Sequence, residues 1–246
     1  MPEGNAAVLT AGPVATVAEV VQRLGEIQAA SEPAGGEEHG NGIYWFSRLY
    51  LVITENVAGK IDSGRFFADD EYLTALDVAF ANRYLDALRA HTQGQGAPEV
   101  WRMLFDVPAD GEIIPVQLAM AGVNAHINLD LAFAVVNACR SLGRPDIDGG
   151  EQRADYDKVN IIFAEEMSGL LHDLRRHYAT RTEMARLSLL EHLATQIVVL
   201  ARGAAWENAG YLWPLAPDSS EWRDRAKIMD DVAATLSAAL LVDLPG

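Results

Sequence analysis

Cysteine is almost absent from the sequence, since Cys139 is the only one in 246 residues. A single thiol excludes an internal disulfide framework, and its apolar neighbours indicate a buried structural thiol rather than a nucleophile. No segment approaches the roughly eighteen uninterrupted apolar residues of a membrane span, and the first residues lack the basic start and apolar run of a signal peptide. We therefore expect a protein of a reducing compartment, the cytoplasm.

Positive charge is also scarce. The chain has 19 basic against 35 acidic side chains, a formal net charge of −16. Such a surface repels phosphate backbones and anionic lipids, so we expect neither nucleic acid nor a membrane as a partner. The sequence has no glycine-rich phosphate loop after a strand and no Gly-x-Ser-x-Gly elbow, so no nucleotide cofactor is expected. The expected partner is a small molecule, and the oligomeric state is left open.

The alternating pattern of β-strands is missing, whereas apolar residues recur at helical spacing along most of the chain. Helix-capping residues and glycine or proline breaks divide this pattern into about eight segments. The predicted helices are 14–30, 43–61, 70–91, 101–105, 115–142, 152–179, 183–209 and 218–242. Half of the residues are hydrophobic, which is enough for a sizeable core. The sequence therefore predicts an all-α fold, a single-domain helical bundle of about eight helices.

The predicted domain covers residues 1–246, and it has three parts. Residues 1–42 form a peripheral N-terminal helix and a flexible loop with four glycines between 32 and 42. Residues 43–209 form the core, and residues 210–246 form a C-terminal helical extension. The extension begins at Asp218-Ser219-Ser220-Glu221, which is a capping-box pattern.

The segment from Pro115 to Leu142 is apolar on all sides, which predicts a helix buried in the core. His126 and Asp130 interrupt it four residues apart and therefore on one face, and Asn137 follows two turns later on the same side. Burying a charge or an imidazole without partners costs several kcal/mol, roughly a large part of a domain's net stability. Partners for this polar strip must therefore come from other helices.

Two other helices place polar residues on an apolar face. Asp77 falls within the inward stripe of the 70–91 helix, which also contains Tyr84. In the 152–179 helix the inward stripe extends back to Asn160 and, one turn earlier, to Asp157. By the same reasoning as for His126, these four side chains are candidates for a shared polar site.

A fourth helix, 183–209, carries Arg202 and Trp206 four residues apart beside apolar neighbours. A guanidinium on an apolar face needs a carboxylate, so we expect Arg202 to approach Asp77, Asp130 or Asp157. Trp206 and Trp101 would add indole rings around such a site.

Several strings in these helices resemble one protein family. They are DVAFANRYL (77–85), GVNAHINLDL (122–131), DKVN (157–160) and ARGAAW (201–206). They are similar to an uncharacterised, mainly actinobacterial, all-helical family of unknown function, whose signature is Asn-Ala-His-Ile-Asn-x-Asp-Leu. The resemblance covers residues 43–209, and the chain departs from the family's usual pattern after Ala209. It implies an all-helical fold but no known activity.

The interpretation that we favour is a small-molecule enzyme, for example of specialised metabolism. His126 acts as a proton donor or acceptor oriented by Asp130, and Asp77 joins them as a catalytic group. Arg202 holds an anionic group of the substrate. The remaining candidates for substrate binding are Asn160, Asn128, Tyr84, Trp206 and Asp157. The expected chemistry is hydrolysis, isomerisation or cyclisation in a buried, largely apolar cavity.

Two alternatives remain open. In the first, the same residues form a structural network in a non-catalytic ligand-binding or scaffolding protein, where they fix the register of the helices. In the second, the protein is a mononuclear metalloenzyme, with one divalent metal held by His126, Asp130 and Asp77. Such an oxygen-rich site would suit Mn, Fe(II) or Mg.

Overall fold

The structure is a computed structural model that describes residues 3–33, 41–108, 113–175 and 181–242, without the side chains of most residues between 167 and 195. The predicted flexible loop at 32–42 and the break after Pro108 lie largely outside these ranges. The described helices are α1 (Glu3–Leu9), α2 (Val17–Ala30), α3 (Gly42–Asp62), α4 (Asp70–Thr92), α5 (Glu99–Phe105), α6 (Pro115–Ala125), α7 (Leu131–Ser141), α8 (Gln152–Arg175), α9 (Arg181–Leu212) and α10 (Ser220–Leu240).

A π-helical turn, His126–Asp130, joins α6 to α7, so that they form one helix, Pro115–Ser141, which we call the central helix. Counted in this way, the described ranges contain nine helices and no strand, and the predicted all-α fold is confirmed. The one helix that was not predicted is α1. It has only seven residues, too few to show helical periodicity.

Side-chain caps set the starts of several helices. Asp69 accepts a hydrogen bond from the backbone N–H of Tyr72 at the start of α4, 3.0 Å away. Ser219 does the same for Trp222 at the start of α10, over 3.2 Å. Both helices therefore begin where the sequence places their caps, because a short side-chain oxygen satisfies an otherwise unpaired N–H group.

The central helix lies in the middle of the core. It is the one helix of the described residues that is long and apolar enough to cross a membrane, but 89% of its most apolar window is buried inside the protein. α4, α9 and α10 pack around it, and α3 contacts both α6 and α8. Its apolar character on all sides therefore reflects contacts with other helices on all sides.

The C-terminal helix α10 is held to the core by side-chain hydrogen bonds from α6. Asn124 donates to the carbonyl oxygen of Ala233 and to the hydroxyl of Ser237, over 2.7 and 2.9 Å. A second contact joins α10 to α5. Asp230 of α10 accepts hydrogen bonds from the N–H groups of Glu99 and Val100 and so caps the first turn of α5. These polar contacts fix α10 along the central helix.

The N-terminal segment is fixed in a similar way. Asn82 of α4 pairs with both the N–H and the carbonyl oxygen of Val14, each over 2.9 Å. The following helix α2 buries Val20, Leu24 and Ile27, and it packs on α3. Helix α3 is thus covered on its outer side, while its other side faces the central helix.

Candidate functional site

The His126–Asp130 segment adopts a π-helical turn rather than the expected continuous α-helix. The N–H of Leu131 donates to the carbonyl oxygen of His126, five residues back. Single π turns inside α-helices occur often at functional sites, because the extra residue changes the direction of the side chains that follow. The turn carries the two most buried polar residues of the central helix, His126 and Asp130.

His126 and Asp130 form a buried pair. Nδ1 of His126 lies 3.2 Å from Oδ2 of Asp130, and the two residues are 3% and 1% exposed. Trp101 donates its indole N–H to the same oxygen over 3.0 Å, and Arg83 donates from Nε to Oδ1 over 3.3 Å. Because the carboxylate receives donors on both oxygens, we assign a proton to Nδ1 of His126. The other nitrogen, Nε2, is then an unprotonated acceptor.

Aromatic rings enclose the imidazole of His126. Phe80 stacks on it with ring centroids 3.4 Å apart, and Tyr50 and Phe46 approach edge-on, with centroids at 4.7 and 5.6 Å. This burial lowers the pKa of His126 below its ordinary value of 6.5, although the hydrogen bond to Asp130 acts in the opposite direction. The imidazole is therefore neutral near pH 7, and its Nε2 is free to accept a proton.

A glycine allows this enclosure. A Cβ atom added to Gly122 of α6 would lie 2.4 Å from the ring of Phe46. Since such a distance is far below van der Waals contact, only glycine lets α3 and α6 approach closely here. The close approach places Phe46 against the imidazole of His126, which follows Gly122 by one helical turn.

A cavity lies beside the His126–Asp130 pair, between α3, α4, the central helix, α8 and α9. About 80 Å³ of it is open to the centre of a water molecule, which is room for several waters or a small organic molecule. Twelve of its lining residues are apolar: Phe46, Leu49, Ile53, Val57, Leu73, Leu76, Phe80, Val123, Ile127, Leu131, Val159 and Phe163. The other five are Tyr50, Thr54, Asp77, His126 and Arg202.

Each of these five polar residues has a buried atom without a hydrogen-bond partner among the described residues. The atoms are the hydroxyls of Tyr50 and Thr54, Oδ2 of Asp77, Nε2 of His126 and Nε of Arg202. An unsatisfied buried polar group costs about 1 to 3 kcal/mol, so these five groups require polar partners inside the cavity. Water molecules or a polar ligand there would satisfy them.

Asp77 is the acid of this cavity. It is 9% exposed, and burial raises its pKa from 3.8 to about 7. Burial, and after it the negative charges of Asp77 and Asp130, raise the pKa of Tyr50 well above its ordinary value, whereas the neighbouring hydroxyl of Thr54 lowers it. Near neutral pH the cavity therefore offers a neutral imidazole, a partly protonated carboxyl group and a phenol that keeps its proton.

The structure brings several of the residues singled out in the sequence close together. His126, Asp77 and Arg202 line one cavity, and Asp130 is hydrogen-bonded to the first of them. Tyr84 does not line the cavity. It is fully buried, its hydroxyl shares a 2.9 Å hydrogen bond with Ser47, and its ring packs on Phe46 behind the imidazole.

The expected carboxylate partner of Arg202 is not found among the described residues, so that expectation is wrong for Asp77, Asp130 and Asp157. Arg202 instead donates from Nη2 to the backbone carbonyl of Tyr156 over 2.6 Å, and its guanidinium lies 4.2 Å from the centre of the Tyr156 ring. The guanidinium that pairs with Asp130 belongs to Arg83. Its long side chain reaches inward from the edge of the apolar stripe of α4.

Two predicted site residues on or near α8 and α9 lie elsewhere. Asp157 is exposed and pairs with Arg153 over 2.9 Å. The acid that α8 buries is Asp155, which accepts from the N–H groups of Ala68 and Asp69 and thereby holds the loop before α4. Trp206 is buried, but it donates its indole N–H to Asp148 and is not among the described lining residues of the cavity.

Three asparagines, Asn128 and Asn137 of the central helix and Asn160 of α8, are also absent from the described lining of the cavity. Asn128 donates to the side-chain oxygen of Asn124 over 2.8 Å and belongs to the contacts with α10. Asn137 is exposed, so the expected polar strip ends at Asp130. Asn160 of α8 is half-buried, and its side-chain oxygen lacks a partner among the described residues, but it does not line the cavity.

Sequence reasoning missed Tyr50 and Thr54, although a signal was present. They lie four residues apart in α3, on the inward face that also carries Phe46 and Val57. The test that found Asp77, a polar residue on an apolar helical face, would have found Thr54 as well.

The alternative of a single metal held by His126, Asp130 and Asp77 finds few ligands in the described part of the chain, where no three His, Cys, Asp or Glu side chains converge. The physical reason lies in Asp130, whose two oxygens already accept hydrogen bonds from Arg83 and Trp101. His126 and Asp77 alone make a poor set of ligands for Mn, Fe(II) or Mg.

The fold and the site together define an all-α protein with a buried His–Asp pair on a π-helical turn, next to an apolar cavity. The chain belongs to a family of unknown function (DUF5995), whose family model matches residues 17–243. This confirms the resemblance seen in the sequence, and the match extends beyond 43–209 to include α2 and α10. No curated protein and no solved structure matches the chain.

Proposed function

We propose that the protein is an enzyme that catalyses proton transfer on a small molecule bound in this cavity, with His126 as the base. The observation that supports this proposal is the unpartnered Nε2 of His126, at an apolar cavity, with Nδ1 held by Asp130. A neutral imidazole oriented by a carboxylate is a common general base, because the carboxylate stabilises the imidazolium that forms.

In the proposed reaction, Nε2 takes a proton from the bound molecule, and the electrons left behind move toward an oxygen of that molecule. Asp77, in its protonated form, donates a proton to this oxygen. In an isomerisation, His126 then returns its proton to another atom of the same molecule, and Asp77 recovers its own. The protons balance without a further reactant in an isomerisation or an intramolecular cyclisation, whereas hydrolysis also consumes a water molecule. We therefore place isomerisation and cyclisation before hydrolysis.

A non-catalytic role in ligand binding is the second candidate. The observation that favours it is the apolar lining, since twelve of seventeen residues could hold a ligand by burial alone. In this role His126 transfers no proton, so the protein should not catalyse exchange of the ligand's hydrogens with solvent.

The test is exchange of the α-hydrogens of pentan-2-one for deuterium in D2O, followed by 1H NMR. We expect exchange by the native protein and a loss of about a hundredfold or more in His126→Gln, since glutamine keeps hydrogen-bonding capacity but cannot act as the base. The replacement should cost about 1 kcal/mol of stability.

His91→Gln is the matched control, because His91 is a partly exposed histidine at the end of α4 that interacts with Asp106, outside the cavity. It should exchange pentan-2-one at the native rate. Equal exchange by the native protein and a stably folded His126→Gln variant, or no exchange by either, would overturn the base role and leave the binding role.

A further inference from the structure

Arg202 lines the cavity with only 5% of its surface exposed. Among the described residues, its Nε has no hydrogen-bond partner. Within the described ranges no carboxylate lies within 4 Å of its guanidinium. A buried cation that lacks a counter-charge is costly, so its presence requires a reason.

The contacts with Tyr156 orient the guanidinium but do not neutralise it. The carbonyl oxygen of Tyr156 accepts from Nη2, and the tyrosine ring covers one face of the guanidinium at 4.2 Å. In return, the Tyr156 hydroxyl donates to the carbonyl oxygen of Arg202 over 2.6 Å. The side chain is thus held in one position, and Nε remains available to a ligand.

Other polar groups of the cavity restrict the chemical class of the ligand further. Among the described lining residues, Arg202 is the one basic side chain besides the neutral His126, which matches one negative charge rather than the two of a phosphate monoester. The hydroxyls of Tyr50 and Thr54, one helical turn apart on α3, can donate to a neutral oxygen. Apart from Asp77, the other described lining residues are apolar and suit a short hydrocarbon chain.

From these groups we infer that the ligand is a short monocarboxylate with an oxo or hydroxyl group, bound with its carboxylate at Arg202 and its neutral oxygen near the α3 hydroxyls. This inference rests on the proposed function in one respect: the oxo or hydroxyl end of the ligand is the part that reacts at His126. The binding of the carboxylate end does not require this reaction, because it depends on Arg202.

The first experiment measures binding, with pentanoate, pentan-1-ol and pentylamine as probes of equal chain length. We expect pentanoate to raise the melting temperature of the native protein and the alcohol to raise it less. Pentylamine should have the smallest effect. Arg202→Gln should remove the preference for pentanoate, and Val159→Phe, which fills the cavity from α8 without a change of charge, should weaken all three. A native protein that prefers the alcohol or the amine would overturn the inference, whether or not Arg202→Gln folds.

The second experiment separates this inference from the proposed function. Deuterium exchange is compared for 4-oxopentanoate and pentan-2-one, which share a methyl ketone and differ in the carboxylate. We expect at least tenfold faster exchange of 4-oxopentanoate by the native protein, and equal rates in Arg202→Gln. Equal rates in the native protein would contradict the carboxylate ligand but leave the base in place. Tight pentanoate binding without any exchange would support the ligand and contradict the base.

Discussion

The ring of Phe80 lies parallel to the imidazole of His126, with centroids 3.4 Å apart and 8° between the planes. Phe80 thus shields one face of the imidazole from water, while Asp130 holds its Nδ1. The two neighbours have opposite effects on the pKa of His126, because burial disfavours the imidazolium and the carboxylate favours it. Burial is the larger effect, so His126 is a neutral base rather than a cation.

Phe80→Leu should therefore raise the pKa of His126 toward 6.5, since water gains access to the imidazole face. The measurement is a 1H–15N NMR titration of the imidazole, which also reports the protonated nitrogen. Phe66→Leu is the control, because Phe66 is a partly buried phenylalanine outside the cavity. A shift of equal size in both variants would show that Phe80 has no specific influence on His126.

A second prediction concerns Gly122. Gly122→Ala places a Cβ against the Phe46 ring, so it should destabilise the protein by about 1 to 3 kcal/mol, as overpacking in a core does. Gly59→Ala is the matched control, because an added Cβ at this exposed position of α3 meets nothing within 4 Å. It should stabilise the helix by about 0.5 to 1 kcal/mol. Denaturant unfolding measures both, and effects of the same sign would contradict the close approach of α3 and α6.

The helices could be predicted from the sequence because their signals are local. The apolar period and caps such as Asp69 and Ser219 depend on neighbours within one or two turns. The π turn at His126–Asp130 could not be predicted in this way. It depends on how the central helix packs against α4, α9 and α10 at once, and nothing in five residues of sequence distinguishes it from an α-helical turn.

The site was predictable only in part, for a related reason. A polar residue on an apolar face identifies His126 and Asp77, but the spacing does not show which face of α8 is buried. Packing turns Asp155 inward and leaves Asp157 at the surface, although the two are only two residues apart. Partners of long side chains are equally hard to predict, since Arg83 reaches Asp130 from a position beside the apolar stripe.

A third prediction tests the contact between the C-terminal helix and α5. Asp230 accepts from two N–H groups of α5, and an asparagine can accept with only one oxygen. Asp230→Asn should cost about 1 kcal/mol, as lost helix caps do, and should speed amide hydrogen exchange at Glu99 and Val100. Asp231→Asn is the control, since Asp231 is an exposed neighbour that pairs with Lys227. Protection of these two amides that is equal in both variants would argue against the cap.

The last prediction uses the pKa of Asp77, which rises from 3.8 in the unfolded chain to about 7 in the folded protein. Well below pH 3.8 the carboxyl is neutral in both states. As the pH rises from 4 to 7, the unfolded chain loses this proton first, so the free energy of unfolding falls, by up to about 4 kcal/mol at 1.36 kcal/mol per pKa unit. In Asp77→Asn the side chain is neutral at every pH, so its free energy of unfolding should not show this decrease.

The variant should therefore match the wild type near pH 4 and exceed its stability at pH 8, as denaturant unfolding at both values would measure. Asp86→Asn removes the same charge from the same helix at an exposed position beside Arg89. It should show little difference between the two pH values, since a surface ion pair contributes about 0 to 1 kcal/mol. A stability difference between Asp77→Asn and the wild type that does not change with pH would mean that Asp77 ionises normally. It could not then act as the proton donor of the cavity.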